Sequence, residues 1–280
     1  MSESAKWILL KQDGNKKFQA GDWEGAEALY TKALIVNPDS PVLYTNRTMA
    51  RLKMKMWEAA ISDCNECLRI FPDNMKAHYY LGQAHLELAN YDEALEHAQR
   101  AYKLCVNTHD KSLSAALAMV RLCKSKRWDD SERRRRREYA DLEGEVMALL
   151  ERERDEAANV MAVDEGAAQE RGDDAAIRAE WETKLQAMRD VFEKARSAES
   201  KRRNVPDWAI DDISFEFMHD PVVTKSGKSY ERAVLLNHLQ QSQLDPLTRE
   251  PLKPADLRPN LTLKQALDDF LEENGWAVDY

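Results

Sequence analysis

Small and apolar side chains recur at a regular interval along the first part of the chain. Pro38 and Pro72 are one such interval apart, and Val106 stands at the next position. Three more offsets repeat in the same way, as Ala26/Ala60/Ala94, Tyr30/Cys64/Ala98 and Ala33/Cys67/Ala101. A period of about 34 residues predicts pairs of antiparallel helices, because small residues let two helices approach and proline ends the second one. We therefore predict three stacked helical hairpins, closed by a capping helix over residues 112–127.

Charged residues dominate the middle of the chain, and residues 128–204 contain no proline. Apolar residues recur there at helical spacing, among them Leu142 and Leu149 in one stripe and Trp181 and Leu185 in another. A loop over residues 159–174 separates the two predicted helices. Since a helical hairpin of this size lacks a core of its own, we predict that it packs against a second copy, giving a homodimer.

The C-terminal part of the chain changes character after Val205-Pro206. Residues 213–218 alternate, residues 222–230 form a β-hairpin across Ser226-Gly227, and residues 231–241 form a short helix. A capping box over residues 262–265 opens a final helix. The predicted fold is therefore mainly α, with a small α+β domain at the end. We predict three domains, over residues 5–127, 128–204 and 205–280.

Charge and cysteine content narrow the class of protein. The formal charge of −9, from 41 basic and 50 acidic residues, argues against general nucleic-acid binding. No apolar stretch approaches the roughly 20 residues that span a bilayer, and the N-terminus lacks a secretory pattern. Four cysteines without a secretory context indicate reduced thiols, which places the protein in the cytoplasm and leaves the nucleus open as a second compartment.

Two local features leave alternatives open. Cys64 and Cys67 have redox or metal-site spacing, but both occupy small-residue positions of the second hairpin, which favours packing. The arginine run over residues 133–137 is either a nuclear-localisation or nucleic-acid patch, or a solvated helix face beside acidic partners.

Polar side chains recur on the first helix of each predicted hairpin, and they suit a bound carboxylate. They are Lys11 and Asn15 in the first hairpin, Asn46 in the second and Lys76 in the third. The surrounding residues 10–15, 44–47 and 76–82 resemble the carboxylate-clamp tetratricopeptide-repeat domains of co-chaperones.

In that family the matching side chains hold the acidic C-terminal tails, ending in Glu-Glu-Val-Asp, of heat-shock chaperones of the seventy- and ninety-kilodalton classes. The resemblance thus implies that Lys11, Asn15, Asn46 and Lys76 bind such a tail. Several co-chaperones have an arginine where this chain has Tyr80, which predicts aromatic packing by Tyr79 and Tyr80 instead. Asp110 is a further candidate contact that the alignment leaves open.

The C-terminal region resembles a U-box, through residues 213–221, 227–232, 245–252 and 259–261. A U-box has the shape of a RING finger without its zinc, and this region contains no cysteine that could bind the metal. The resemblance implies that Ile213, Phe215, Pro246 and Arg249 contact a ubiquitin-conjugating enzyme. Plain core packing is the alternative for Ile213 and Phe215, although Phe217 and Met218 are the better core candidates. His238 is expected to pack or to hydrogen-bond.

Together the domains resemble the tetratricopeptide-repeat and U-box family of chaperone-linked ubiquitin ligases. The resemblance implies a scaffold that brings a conjugating enzyme and its ubiquitin to a chaperone or to its misfolded client. No catalytic nucleophile, metal, cofactor, nucleic acid or membrane is expected in this function. The alternative function is a non-enzymatic co-chaperone adaptor.

Overall fold

A computed structural model describes the backbone of residues 3–108, 110–162, 170–199 and 204–280, and their side chains except at 3–5, 158–162, 170–178 and 196–199. Ten α-helices lie within these residues: α1 (Glu3–Gln19), α2 (Trp23–Val36), α3 (Pro41–Lys53), α4 (Trp57–Ile70), α5 (Met75–Glu87), α6 (Tyr91–Thr108), α7 (Leu113–Ala162), α8 (Glu170–Glu199), α9 (Arg232–Gln241) and α10 (Leu261–Glu273). None of these helices has an apolar stretch long enough to cross a membrane.

The first six helices form the three predicted hairpins. α1 packs against α2, α3 against α4 and α5 against α6, and successive hairpins stack through α2 with α3 and α4 with α5. Gly21, Lys55 and Ala89, which follow the interval of the repeat, occupy the hairpin turns with positive φ angles of 79°, 59° and 59°. The small residues are buried where the helices meet, so the repeat pattern was a correct guide to this part of the fold.

Helix α7 is longer than the predicted capping helix. Its first part packs Met119, Val120 and Cys123 against α6, which is the capping role. The helix then continues to Ala162, since residues 113–143 contain neither proline nor glycine to end it. The predicted domain boundary at 127/128 therefore falls inside a helix, and the division into three domains stays a prediction. Helix α7, which ends at Ala162, and helix α8, which begins at Glu170, both extend into the predicted loop over residues 159–174. The rest of that predicted loop, residues 163–169, lies outside the described residues.

The C-terminal region contains a small antiparallel sheet of order β2-β1-β3, formed by β1 (Pro221–Val223), β2 (Ser229–Glu231) and β3 (Arg258–Pro259). The β1–β2 pair is the predicted hairpin, with Val222 opposite Tyr230, whereas β3 was not predicted. Val222, Tyr230, Leu235, Leu239 and Leu252 form the core between sheet and helix α9.

The capping box at Thr262 was a wrong prediction. The N-cap lies two residues earlier, at Asn260, whose Oδ1 accepts from the amide of Leu263, and helix α10 begins at Leu261. Asparagine is among the strongest N-cap residues, so Asn260 takes the capping role that was predicted for Thr262.

The chain divides into two compact units. One contains residues 1–129 and 206–280, and the other contains residues 130–205. Within the second unit Leu185 is buried, and Arg189 of α8 lies 4.0 Å from Glu151 of α7. Tyr139, Leu142 and Leu149 of the predicted apolar stripe are exposed in the single chain.

Candidate functional sites

Two of the predicted tail-binding side chains touch each other. Asn15 on α1 and Asn46 on α3 are joined by a hydrogen bond of 3.2 Å, in which Asn46 Nδ2 donates to Asn15 Oδ1. The same oxygen accepts from the Tyr30 hydroxyl at 2.9 Å. Both lone pairs of Oδ1 are therefore in use, and the Asn15 Nδ2 group, for which the described residues supply no acceptor, is oriented as a donor.

The two predicted lysines are placed differently. Lys11 is half-buried with Nζ 5.4 Å from the centroid of the Trp7 ring, a cation–π contact. Lys76 is exposed. The rings of Tyr79 and Tyr80 meet edge to face with their centroids 6.0 Å apart. Their aromatic packing against a bound tail stays a prediction. The Tyr80 hydroxyl donates to Met49 Sδ at 3.4 Å.

Asp110 stabilises the start of α7. Its Oδ1 accepts from the Ser112 amide at 2.7 Å. That hydrogen bond, and more weakly the charges of Lys111 and Lys76, hold the pKa of Asp110 below its ordinary value.

A buried charge network lies next to Asn46, one of the predicted tail-binding residues, and the sequence did not reveal it. Arg47, next to Asn46, donates from Nε to Asp63 Oδ2 at 2.8 Å, and Arg51 reaches both Asp63 and Glu27. Asp63 is almost fully buried. Since a buried carboxylate needs paired donors, these arginines hold the first two hairpins together rather than bind a ligand.

Cys64 and Cys67 are part of the hydrophobic core where the second and third hairpins meet. Both thiols are buried, and Cys64 lies 3.6 Å from the Thr48 hydroxyl. Burial raises the pKa of Cys64 to about 12 and that of Cys67 to about 11, so both stay protonated at neutral pH. Protonated thiols are weak nucleophiles and weak metal ligands, which supports the packing interpretation.

The first U-box loop is closed by one carboxylate. Asp211 Oδ2 accepts from the amides of Ile213 at 3.1 Å and Ser214 at 2.8 Å. Its backbone carbonyl accepts from the Phe215 amide at 2.8 Å. Its other oxygen, Oδ1, accepts from the Glu231 amide at 2.8 Å, which ties the loop to strand β2.

The second loop repeats this construction around another aspartate. Asp245 Oδ1 accepts from the amides of Leu247 at 2.8 Å and Thr248 at 3.2 Å, and its carbonyl accepts from the Arg249 amide at 2.9 Å. Oδ2 accepts from the Ser226 hydroxyl at 3.0 Å, which ties this loop to the β1–β2 turn. Phe215 and Arg249 occupy equivalent positions, each with a φ of 59°. The two aspartates thus hold the loops that zinc would hold in a RING finger, as the cysteine-free sequence required.

The predicted conjugating-enzyme residues lie on these two loops. Phe215 is 75% exposed, unusual for a phenylalanine, and this excludes the core alternative for it. Arg249 is exposed, and Pro246 is half-buried. Ile213 is also half-buried and packs against the sheet core, so it lies at the border between core and surface.

Phe217, Met218 and His238 are placed as predicted. Phe217 and Met218 are buried. His238 Nε2 lies 3.2 Å from the carbonyl oxygen of Leu244, which fits the hydrogen-bonding role.

The sequence reading missed two apolar residues of the same surface. Leu247, at 64% exposure, and Leu244 flank Pro246 and face solvent. A signal for Leu247 was present: residues 211–216 and 245–250 both read Asp-x-Ile/Leu-Ser/Thr-x-Glu, and Leu247 is the counterpart of Ile213.

Comparisons with known proteins match both parts of the chain. Residues 205–276 match the U-box domain family and residues 51–103 the tetratricopeptide repeat family. The chain is 34% identical over 277 residues to E3 ubiquitin-protein ligase CHIP of Arabidopsis thaliana, covering 98% of this chain and 96% of that protein.

Shorter likenesses are found as well. Heat shock protein STI1 of Saccharomyces cerevisiae is 41% identical over 96 residues, which are 34% of this chain and 16% of that protein. Among solved structures, the first TPR of Spaghetti (RPAP3) bound to HSP90 peptide SRMEEVD has 32% identity and a TM-score of 0.38, covering 42% of this chain and 91% of that chain.

Proposed function

The chain belongs to the CHIP family of E3 ubiquitin-protein ligases and is a U-box ubiquitin ligase, and we propose that it directs ubiquitin onto heat-shock chaperones and the misfolded proteins that they carry. The U-box implies a ubiquitin-conjugating enzyme as partner. The repeat domain supplies the other half of the function, because it selects what is brought to that enzyme.

The observation that carries the chaperone proposal is the Asn15–Asn46 hydrogen bond. It brings together two amides from different repeats and leaves Asn15 Nδ2 as a donor. Lys11 and Lys76 add positive charge, so an acidic peptide ending in a carboxylate would meet donors and cations but few acceptors.

The transfer itself needs no nucleophile on this chain. Ubiquitin is held as a thioester on the conjugating enzyme, and the amine nitrogen of a substrate lysine attacks the thioester carbonyl. An amide bond forms as the carbon–sulfur bond breaks, and the enzyme's cysteine leaves as a thiol with the proton released by the amine. Phe215, Ile213 and Pro246 supply apolar contact to the conjugating enzyme, and Arg249 supplies hydrogen bonds. The contribution of the ligase is proximity and orientation.

A homodimer and an intracellular location complete the proposal. Tyr139, Leu142 and Leu149 form an exposed apolar stripe on α7, which a second copy would cover. Two clamps and two U-boxes in one assembly would add avidity for chaperone complexes. The protonated, unpaired cysteines suit the cytoplasm and nucleus.

Reconstituted ubiquitination of a purified seventy-kilodalton chaperone tests both halves. We expect Lys76→Ala to weaken tail binding about tenfold to a hundredfold, the range for hydrogen bonds to charged groups, and so to retain self-modification while losing chaperone modification. Phe215→Ala should lose both activities. Lys103→Ala, an exposed lysine on α6, and Leu261→Ala, an exposed leucine outside the two loops, are the controls.

Different failures identify different errors. If Lys76→Ala modifies the chaperone as well as the unchanged chain does, the clamp assignment is wrong. If Phe215→Ala transfers ubiquitin normally, the assigned groove is wrong. Tail binding without transfer by any conjugating enzyme would indicate the adaptor function instead.

A further inference from the structure

The U-box contacts the repeat domain within the first compact unit. Four pairs of side chains join helices α6 and α7 to the U-box, with separations of 2.7 to 3.2 Å: Tyr102 with Asp220, Ser114 with Asn237, Lys124 with Asp268, and Ser125 with Asp279. Ala233 and Leu236 of α9 pack beside Leu113 and Ala116 of α7. The surface is therefore polar at several points around a small apolar centre.

Arg121 on α7 makes the contact nearest to the first U-box loop. Its Nη1 forms an ion pair with Glu216 Oε2, and its Nη2 donates to the Phe217 carbonyl at 3.4 Å. Its side chain is 17% exposed, against 51% for Glu216. A largely buried guanidinium from the repeat domain thus contacts two consecutive residues, the side chain of Glu216 and the backbone carbonyl of Phe217.

These two residues lie immediately after Phe215. Phe215 carries a positive φ, which L side chains rarely adopt, so its conformation depends on the surrounding bonds. Inside the loop those bonds come from Asp211, whose amide also donates to the Glu216 carbonyl at 2.9 Å. Arg121 adds a hold from outside the U-box.

The second loop offers an internal comparison. Glu250 is the counterpart of Glu216, but no ion pair involves Glu250 in the part of the chain that the structure describes. The two loops share their internal construction and differ in this external contact. The second loop therefore serves as an internal reference for the effect of Arg121 on the first loop.

The charge of Arg121 also acts on a buried carboxylate, that of Glu231. Glu231 is fully buried, and its Oε2 accepts from the amides of His219 at 2.6 Å and Asp220 at 2.9 Å, while Oε1 has no partner among the described atoms. Burial raises the pKa of Glu231, and the two amides and the charge of Arg121 oppose that rise. The positive charge of Arg121 thus favours the ionised form of Glu231 in the U-box.

From these contacts we propose that Arg121 is a positioning residue for ubiquitin transfer, holding the Phe215 loop from the repeat domain in the conformation that binds the conjugating enzyme. The proposal rests on the function proposed above for that loop. It assigns the repeat domain a second task, because the domain that selects the substrate also supports the surface that recruits the enzyme.

The test measures discharge of ubiquitin from a charged conjugating enzyme to free lysine, with the full-length protein and a range of conjugating-enzyme concentrations. Arg121→Gln is expected to raise KM for the conjugating enzyme about twofold to fivefold, the upper part of the range for losing one ion pair that is open to solvent on one side, with little change in kcat. Arg121→Lys keeps the pair with Glu216 and should recover part of the loss.

Lys124→Gln is the matched control. Lys124 lies one turn further along α7 and pairs with Asp268 on α10, away from the loop in sequence. It should leave KM unchanged. Hydrogen exchange gives the second measurement: Arg121→Gln should speed exchange over residues 212–217 but leave residues 246–250 unchanged.

Several results would overturn the proposal. An unchanged KM and unchanged loop exchange in Arg121→Gln would show that the loop holds itself. An equal rise of KM in Lys124→Gln would assign the effect to domain docking in general. Normal discharge by Phe215→Ala would instead refute the proposed groove, and with it the role of Arg121 in ubiquitin transfer. Faster exchange over residues 212–217 in Arg121→Gln would still show, in that case, that Arg121 holds the loop.

Discussion

At the residue scale, Asp211 and Asp245 determine the shape of the two loops that we propose to bind the conjugating enzyme. Each carboxylate accepts from two amides of its own loop and from one donor in the sheet region. These hydrogen bonds fix the backbone of the residue four positions later, Phe215 or Arg249, in a conformation with positive φ. That conformation sets the direction of its side chain. A buried polar group that serves as acceptor for several donors costs much to remove, because every donor loses its partner.

Asp245→Ala should therefore destabilise the U-box by about 2–4 kcal/mol, the cost of leaving two amides and a hydroxyl without their acceptor. Glu250→Ala is the control, since Glu250 is an exposed acid in the same loop. Hydrogen exchange of the β1 and β2 amides in the intact chain measures the difference. Equal exchange in the two variants would show that packing alone closes the loop.

The same aspartate predicts a response to acid. Burial would raise the pKa of Asp245, but the hydrogen bonds from Leu247, Thr248 and nearby hydroxyls outweigh it and lower the pKa below its ordinary value. A lowered pKa in the folded state stabilises the fold above the ordinary aspartate pKa, and this contribution is lost as pH falls through the folded pKa. Unfolding of the U-box measured against pH should show this loss below about pH 4, and Asp245→Asn should reduce the slope there. An unchanged slope would contradict the assignment.

The sequence supplied the loop residues only in part. Ile213, Phe215, Pro246 and Arg249 came from the resemblance, and the structure puts them on the two loops. The role of Asp211 and Asp245 was missed because a buried capping carboxylate and an ordinary surface one look the same in a sequence. Positive φ at a phenylalanine or an arginine has no signature either, since both residues usually avoid it.

At the element scale, the hairpins depend on close approach of helices. A Cβ on Gly14 would lie 2.6 Å from the Tyr30 ring, whose hydroxyl donates to Asn15. Gly144 lies on α7, and a Cβ there would meet nothing within 4 Å. Two glycines in helices thus have opposite surroundings.

We expect Gly14→Ala to destabilise the repeat domain by about 1–3 kcal/mol through overpacking and to weaken binding of an acidic tail peptide by displacing Tyr30. Gly144→Ala should stabilise α7 by about 0.5–1 kcal/mol because alanine is the better helix former. Thermal unfolding measures the stability of both variants, and calorimetry measures their affinity for the tail peptide. Normal tail affinity in Gly14→Ala would show that Tyr30 does not orient Asn15.

Prediction of the elements succeeded where a period was strong. The repeat located the hairpins and their turns, since each offset supplied three independent observations. The predicted end of the capping helix at residue 127 was wrong, because the change from an apolar to a charged composition at residue 128 does not end a helix, and α7 continues to Ala162. A change in composition reports what a helix contacts, and it does not report where the helix stops.

At the scale of the whole molecule, the proposed dimer gives a direct test. Leu142→Lys with Leu149→Lys should shift the protein from dimer to monomer, because both leucines belong to the exposed stripe of α7 and buried lysines would lose their hydration. Ala140→Lys with Ala148→Lys, also exposed on α7, is the matched control. Light scattering measures the mass in solution. A leucine variant that keeps the dimer mass would place the interface elsewhere.

The construction of the two U-box loops also decides which chemical insults the ligase surface withstands. Residues 211–217 and 245–251 contain no sulfur atom. Peroxides and electrophiles that attack zinc-bound thiolates find no target there, and chelators have no ion to remove from a carboxylate held by amide hydrogen bonds. Oxidative attack is also a condition that damages other proteins and raises the load of misfolded chains. For the function proposed above, the consequence is that loops closed by oxygen and nitrogen atoms keep their conformation when the load of misfolded chains is greatest.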